Sequence, residues 1–201
     1  LLNGKLDLLI QTDLSEQQAE LIGSIHSSAL RISRLNRNLL LLAKIENNQF
    51  QTLEEIDGDS ILTHLIAQFE ESILAKNLLV TYSFPEEKTL IKSNKALLEI
   101  LLSNLISNAI RYAPPNSCIT IEGTKTTCKI MNQGDPLKRP EVIFERFTRE
   151  DTNSHGTGLG LAIAKKIVDQ LGYALDYKYE EGHHIFEITF HSVPINPSVN
   201  Y

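Results

Sequence analysis

Apolar positions recur at helical intervals over residues 1–50, then shift to a mixture of helical and alternating spacing. Leu1 to Gln11 reads as the tail of one helix and "TDLSEQQ" as a turn. Ser15 followed three residues later by Gln18 is a capping-box start, which opens a second helix running to about Asn47. On that helix Ile22, Ile25, Ala29, Ile32, Asn36, Leu39 and Ala43 fall at heptad a/d spacing, flanked by Leu21, Leu35 and Leu42. An antiparallel helix pair cannot bury so wide a stripe by itself, and pairing with a second copy into a four-helix bundle is the economical solution. Asn36 either fixes the register of that seam or is a partly exposed seam residue.

Residues 46–59, "ENNQFQTLEEIDGD", break the helical period and read as a linker ending in the first strand of a second domain. Beyond it a helix is expected from Asp59 to about Lys76, a strand at "LLVTYSF" and a long helix from Asn94 to Ala113. "CITIEG" and "CKIMN" form a hairpin turning at "GTKTT". A short helix follows over Glu141–Phe147, a longer one over Gly158–Leu171, and a second hairpin at "ALDYKYEEGHHIFEITF". Helices interleaved with mainly antiparallel strands predict an α+β fold: a helical hairpin, then a two-layer α/β sandwich with helices on one face of a sheet. The expected division is 1–50 for the helices, 51–194 for the sandwich and 195–201 for a tail.

Composition narrows the function more than the fold. The chain has 201 residues, 42% of them hydrophobic and 22% charged, as in ordinary globular proteins. A net charge of −6 without a concentrated basic patch argues against nucleic acid as a partner. Cys118 and Cys128 stand in apolar, strand-like surroundings without a C-x-x-C spacing, which reads as reduced core cysteines of a cytosolic compartment. There is no run of 18 apolar residues and no signal peptide. The chain starts without Met inside an apolar pattern, "LLNGKLDLLI", and is read as a fragment.

Two segments carry chemistry. In "LLEILLSNLISNAIRYAPP", apolar residues nearly surround the helix, and Asn104, Asn108, Arg111 and Tyr112 interrupt them at i, i+4, i+7 and i+8, on one face. Buried amides cost free energy unless paired, so such a stripe calls for a ligand or a polar neighbour. In "SHGTGLGLAIAKK", Gly156, Gly158 and Gly160 alternate before a helix start. Glycines allow close backbone approach and a helix N-terminus attracts anions, which together suggest a phosphate. The G-x-G-x-G spacing is neither a P-loop nor a dinucleotide fingerprint.

These segments resemble a known family. "NLISNAIRY" is similar to the N box of the bacterial sensor histidine kinases, members of the gyrase-like ATPase superfamily. "MNQGDPL" resembles their G1 box, "FERFTR" their F box and "GTGLGLAIAKKIVDQLG" their G2 box, while "LLLLAKIENNQF" resembles the end of their dimerisation helix. The motifs stand in family order and at family spacing over essentially the whole chain.

The resemblance implies a role for each of these residues. Asn108 would coordinate a Mg²⁺ that bridges the phosphates of ATP, an amide oxygen suiting a hard cation without adding negative charge. Asn104, one turn earlier, would support it, and Arg111 and Tyr112 would contact phosphate and the ribose or adenine side. Asn132 stands where the family commonly has an aspartate that accepts a hydrogen bond from the adenine amino group, and Pro136 where it often has a second glycine after Gly134. Arg146 and Arg149 would lie in or beside a lid over residues 138–157 and reach the γ-phosphate. Gly156, Thr157, Gly158, Leu159, Gly160 and Leu161 would close that lid on the triphosphate. The implied cofactors are ATP and Mg²⁺. The implied partners are a second copy, through the N-terminal helices, and the receiver domain of a response regulator. Membrane contact is expected only through upstream segments of a bacterial cytoplasmic-membrane protein.

The resemblance also implies a phospho-acceptor histidine, expected upstream of Leu1, because "LLNGKLDLL" resembles the stretch immediately C-terminal to the family's histidine box. His26, His64, His155, His183, His184 and His191 read instead as surface or structural residues. Two other readings stay open. Gyrase-type and mismatch-repair ATPases carry a general-base glutamate at the place of Asn104, a poor base, and a non-catalytic dimeric scaffold finds support only in Asn132. The expectation is a chain that takes up ATP with Mg²⁺ but does not label itself. Incubation with radiolabelled ATP should leave no acid-labile phosphohistidine, and a stable label would refute this.

Overall fold

A computed structural model describes residues 4, 8–9, 11–12, 14–85, 90–148 and 157–190. The expected first helix over Leu1–Gln11 lies largely outside the described residues. Helix α1 spans Glu16–Glu46, and Ser15 closes a capping box with Gln18 at its start. It buries Ala29, Leu42 and Ile45, with Leu35 and Leu41 packed on the core. Leu21, Ile25, Ile32 and Leu39 of the heptad stripe stay exposed, at 58, 52, 66 and 41%.

Strand β1 (Glu54–Asp57) pairs antiparallel with β3 (Leu90–Ser93) in a small two-stranded sheet. Nothing in the sequence singles out β3: four residues are too short to display a period. The helix expected over Asp59–Lys76 is two helices, α2 (Gly58–Gln68) and α3 (Glu70–Ala75). The break is at Phe69, whose N–H reaches back only three residues, to Ile66 O at 3.0 Å. That tightened turn lets the Phe69 ring pack on the core. Asp57 caps α2, its carboxylate accepting from the N–H groups of Asp59 and Ser60.

The main sheet has the order β2-β4-β5-β7-β6, from Leu79–Ser83, Cys118–Gly123, Thr127–Gln133, His183–Thr189 and Ala174–Glu180 respectively. Both expected hairpins are present. Glu181 and Gly182 turn the second with positive φ at both positions, 49° and 78°, as a two-residue hairpin loop demands. The β2–β4 pair is parallel, an exception to the antiparallel pattern, and the chain needs a crossover to make it. Helix α4 (Lys95–Tyr112) lies within that crossover.

Alternation sets the two layers. Ile119 and Ile121 of β4, Cys128, Ile130 and Asn132 of β5, and His184, Phe186 and Ile188 of β7 point to the buried face. Helices α4 and α5 (Gly160–Leu171) cover it. Leu97, Leu98, Leu101 and Leu105 of α4 and Ile163 and Ile167 of α5 are essentially solvent-free. Truncating one such leucine to alanine would cost about 3 kcal/mol. Both cysteines are free thiols, Cys128 buried and Cys118 half-buried, and burial pushes the Cys128 thiol up to about 12. Among the described residues no helix is long and apolar enough to cross a membrane.

The C-terminus of α4 is held by a lysine from the end of α3. Lys76 Nζ donates to the carbonyl oxygens of Ile110, Arg111 and Ala113 at 3.0, 2.6 and 3.0 Å. Three carbonyls that would otherwise end unpaired meet one positive charge at the negative end of the helix dipole. Lys76→Met should therefore lower the stability by about 1 kcal/mol. Urea unfolding would show it as a lower midpoint at unchanged slope, and an unchanged midpoint would contradict it.

Candidate functional site

Helix α4 begins at Asn94, whose side chain accepts from Leu97 N–H at 3.0 Å and donates to Thr52 O at 2.9 Å. With both ends held and its leucines inside, its rotation about its axis is set, and the polar stripe faces a cavity of about 430 Å³. Asn104, Asn108, Arg111 and Tyr112 line one wall, with Ser107 between them. Asn104 donates its amide N–H to Ile100 O at 2.9 Å, so its oxygen is the atom left outward. The half-buried Asn108 side chain has no hydrogen-bond partner among the described residues. Such an amide suits an external ligand.

The opposite end of the cavity is built by the sheet. Asn132 is 1% exposed and donates its amide N–H to Gln133 O at 2.9 Å. A carbonyl can only accept, so the Asn132 amide nitrogen must face it and its oxygen is the remaining group. Gly134 follows, tied to the hairpin by N–H donation to Gly182 O at 3.1 Å and by Tyr179 O–H donation to its carbonyl at 3.0 Å. A Cβ at Gly134 would lie 2.6 Å from His184 Nε2, so only glycine fits. His184 is the cross-strand neighbour of Asn132, is 7% exposed, and shares a 2.8 Å hydrogen bond between Nδ1 and the Tyr177 hydroxyl. The residue order alone reads it as a surface or structural histidine. It is buried and lines the cavity, a position that only the strand register reveals.

The glycine loop forms the third side. Thr157, Gly158, Gly160 and Leu161 line the cavity, whereas Leu159 is wholly buried and anchors the loop in the core. Gly158 has φ 71°, and a Cβ there would lie 2.9 Å from the backbone of Phe147. Its carbonyl accepts the Phe147 N–H at 2.8 Å. Phe147 itself is left-handed, φ 66°, which is strained for a bulky residue. This explains a correction: of the helix expected over Glu141–Phe147 only one 3₁₀ turn forms, Pro140–Val142. Gly160 sits where a Cβ would be 3.0 Å from Asn104 Oδ1. Helix α5, which begins there, has no side-chain cap, so its first N–H groups remain available to an anion.

Arg146 does not line the cavity. Its guanidinium pairs with Glu46 of α1 at 2.8 Å, both side chains half exposed, and its expected reach to a γ-phosphate has no counterpart in this geometry. Arg149 and Gly156 lie outside the described residues, as do His155, His191 and the rest of 149–156 in the expected lid. His64 bonds Gln68 on the same helix and His183 its own turn. Asp135 and Leu137 of the "MNQGDPL" stretch, Ile143, Thr148 of "FERFTR" and Phe186, together with Arg34 and Asn38 of α1, complete the lining, and no sequence motif points to Ile143, Phe186, Arg34 or Asn38. Among the described residues no group of three or more His, Cys, Asp or Glu is placed to hold a metal. A Mg²⁺ held largely by phosphate and water needs few protein ligands, so a single amide oxygen fits that donor chemistry.

Residues 93–194 match the family described as histidine kinase-, DNA gyrase B- and HSP90-like ATPases. The chain belongs to this family. Within it the relatives are sensor histidine kinases. The chain is 33% identical over 184 residues to the sensor histidine kinase HprS of Escherichia coli (strain K12), covering 88% of this chain and 40% of that protein. It is similar in fold to the histidine kinase AdeS of Acinetobacter baumannii, with TM-score 0.69, 24% identity, and 94 and 92% of the two chains covered. Full-length ShkA in complex with AMPPNP matches with TM-score 0.72 and 20% identity, over 96% of this chain and 43% of that one. The chain spans about two fifths of the length of the curated relatives it matches.

Gly158→Ala should destabilise the protein by about 2 kcal/mol, from the left-handed backbone and the backbone clash together. Thermal unfolding would read this as a lower midpoint, and wild-type stability would show that the loop's conformation is not fixed by Gly158.

Proposed function

We propose that this chain is the dimerising and ATP-binding portion of a sensor histidine kinase in a two-component system. The observation that carries this reading is the convergence on one cavity of the Asn104–Asn108 pair, the uncapped start of α5 behind Gly158 and Gly160, and the buried acceptor Asn132. The first two suit a phosphate chain and the third suits the amino edge of adenine. Mg²⁺ would sit at Asn108 and neutralise phosphate charge.

The reaction is transfer of the γ-phosphoryl group of ATP to a histidine nitrogen, with release of ADP, and then onward to an aspartate of a response regulator receiver domain. The accepting imidazole would come from sequence outside these residues, as would any membrane anchor. Positioning and charge neutralisation are the means such a site offers. Arg111 supplies a cation and the α5 start supplies N–H dipoles. The absence of a carboxylate at Asn104 weighs against an ATPase that activates water. The exposed Leu21, Ile25, Ile32 and Leu39 support a two-fold bundle, since heptad-spaced apolar residues are stable when covered by a like surface.

Asn108→Ala should reduce the affinity for ATP with Mg²⁺ at least tenfold and abolish most of the difference that Mg²⁺ makes. Isothermal titration with and without the metal, checked by circular dichroism for intact folding, would measure both. Equal affinity of the variant and the unmodified chain would overturn the proposal.

A further inference from the structure

Helix α1 meets the catalytic layer at the cavity itself. Arg34 and Asn38, one turn apart on α1, both line it. A contact fixes the place of Asn38 along the cavity. Asn38 Nδ2 donates to Thr157 Oγ1 at 3.4 Å, and Thr157 directly precedes the Gly158–Gly160 loop. Gly160 in turn packs on Asn104 Oδ1. Arg34 lines the same cavity one turn before Asn38, the residue bonded to the start of the glycine loop. Among the described residues it forms no ion pair, whereas Arg146 is held by Glu46.

We propose that Arg34 is a phosphate-binding residue, supplied to the nucleotide site by the helix that carries the exposed heptad stripe. This rests on the nucleotide reading above and extends it. A guanidinium presents a planar fork of donors matched to two phosphate oxygens, and Arg111 is the only other arginine that lines the cavity among the described residues. The ligand class is a nucleoside triphosphate, held at its phosphate end between α1 and α4. A nucleotide bound this way bridges the two parts of the chain, and its phosphate count affects how firmly they are joined.

The test is isothermal titration of ATP, ADP and AMP, with Mg²⁺, into the unmodified chain and into Arg34→Ala, Arg34→Lys and Asn108→Ala. Arg34 is exposed, so its variants should fold, and circular dichroism would confirm it. Arg34→Ala should weaken ATP by about tenfold, a charge-assisted bond's worth, and AMP by less than about twofold. Arg34→Lys should recover part of the ATP affinity. An unchanged ATP affinity in Arg34→Ala, or an equal loss for all three nucleotides, would overturn the proposal. Were Asn108→Ala to lose ATP while Arg34→Ala did not, the nucleotide reading would stand and only the role of Arg34 would fall. An unmodified chain that bound no ATP would remove both.

Discussion

Helix α4 has to fill the core and wall a polar cavity with the same 18 residues. Its leucines are sealed between the sheet and α5, and the side that remains holds two carboxamides one turn apart. Neither amide can retreat into the interior, because a half-satisfied amide among leucines is more costly than one turned to a polar space. The packing of the hydrophobic face thus sets the direction of the polar one, and the cavity inherits its geometry from the core. The Asn94 cap and the Lys76 clamp fix the two ends, so the stripe has no freedom to rotate.

The other walls are arranged around that helix by different means. The strand register brings Asn132 and His184 side by side at one end, while Leu159, buried completely, holds the glycine loop at the other. The wall from α1 is different in kind: Arg34 and Asn38 bring polar groups to the cavity, while Leu42 and Ile45 farther along the helix are sealed in the core. The Arg146–Glu46 pair and the Asn38–Thr157 hydrogen bond are of the sort worth little in water. At the cavity the helix meets the sandwich through weak polar contacts, and beyond it through buried apolar ones.

Much of this is legible in the residue order because it is encoded locally. The capping box at Ser15, the caps and length of α4, both hairpins and the polar stripe at i, i+4, i+7 and i+8 depend only on near neighbours. The parts that are not legible depend on tertiary placement. Strand β3 exists because β1 is there to pair with it, and its four residues carry no period. The break at Phe69 serves the packing of one ring. The helix expected after Glu141 stops because Phe147 bonds to a residue across the loop rather than to its own preceding turn. His184 sits at the cavity through cross-strand register with Asn132, and Arg34 and Asn38 through the docking of α1, neither of which a one-dimensional pattern contains. Arg146, assigned to the phosphates by its motif, meets Glu46 because α1 runs past it.

The single main-chain bond from Phe147 N–H to Gly158 O brings together the two ends of the intervening segment. The entropic cost of holding those ends together grows only with the logarithm of the number of residues between them, roughly 0.6 kcal/mol for each doubling. Thr148 and Thr157, which flank these ends, keep their place in the lining through that bond. A change in the length of that stretch therefore costs the protein little stability.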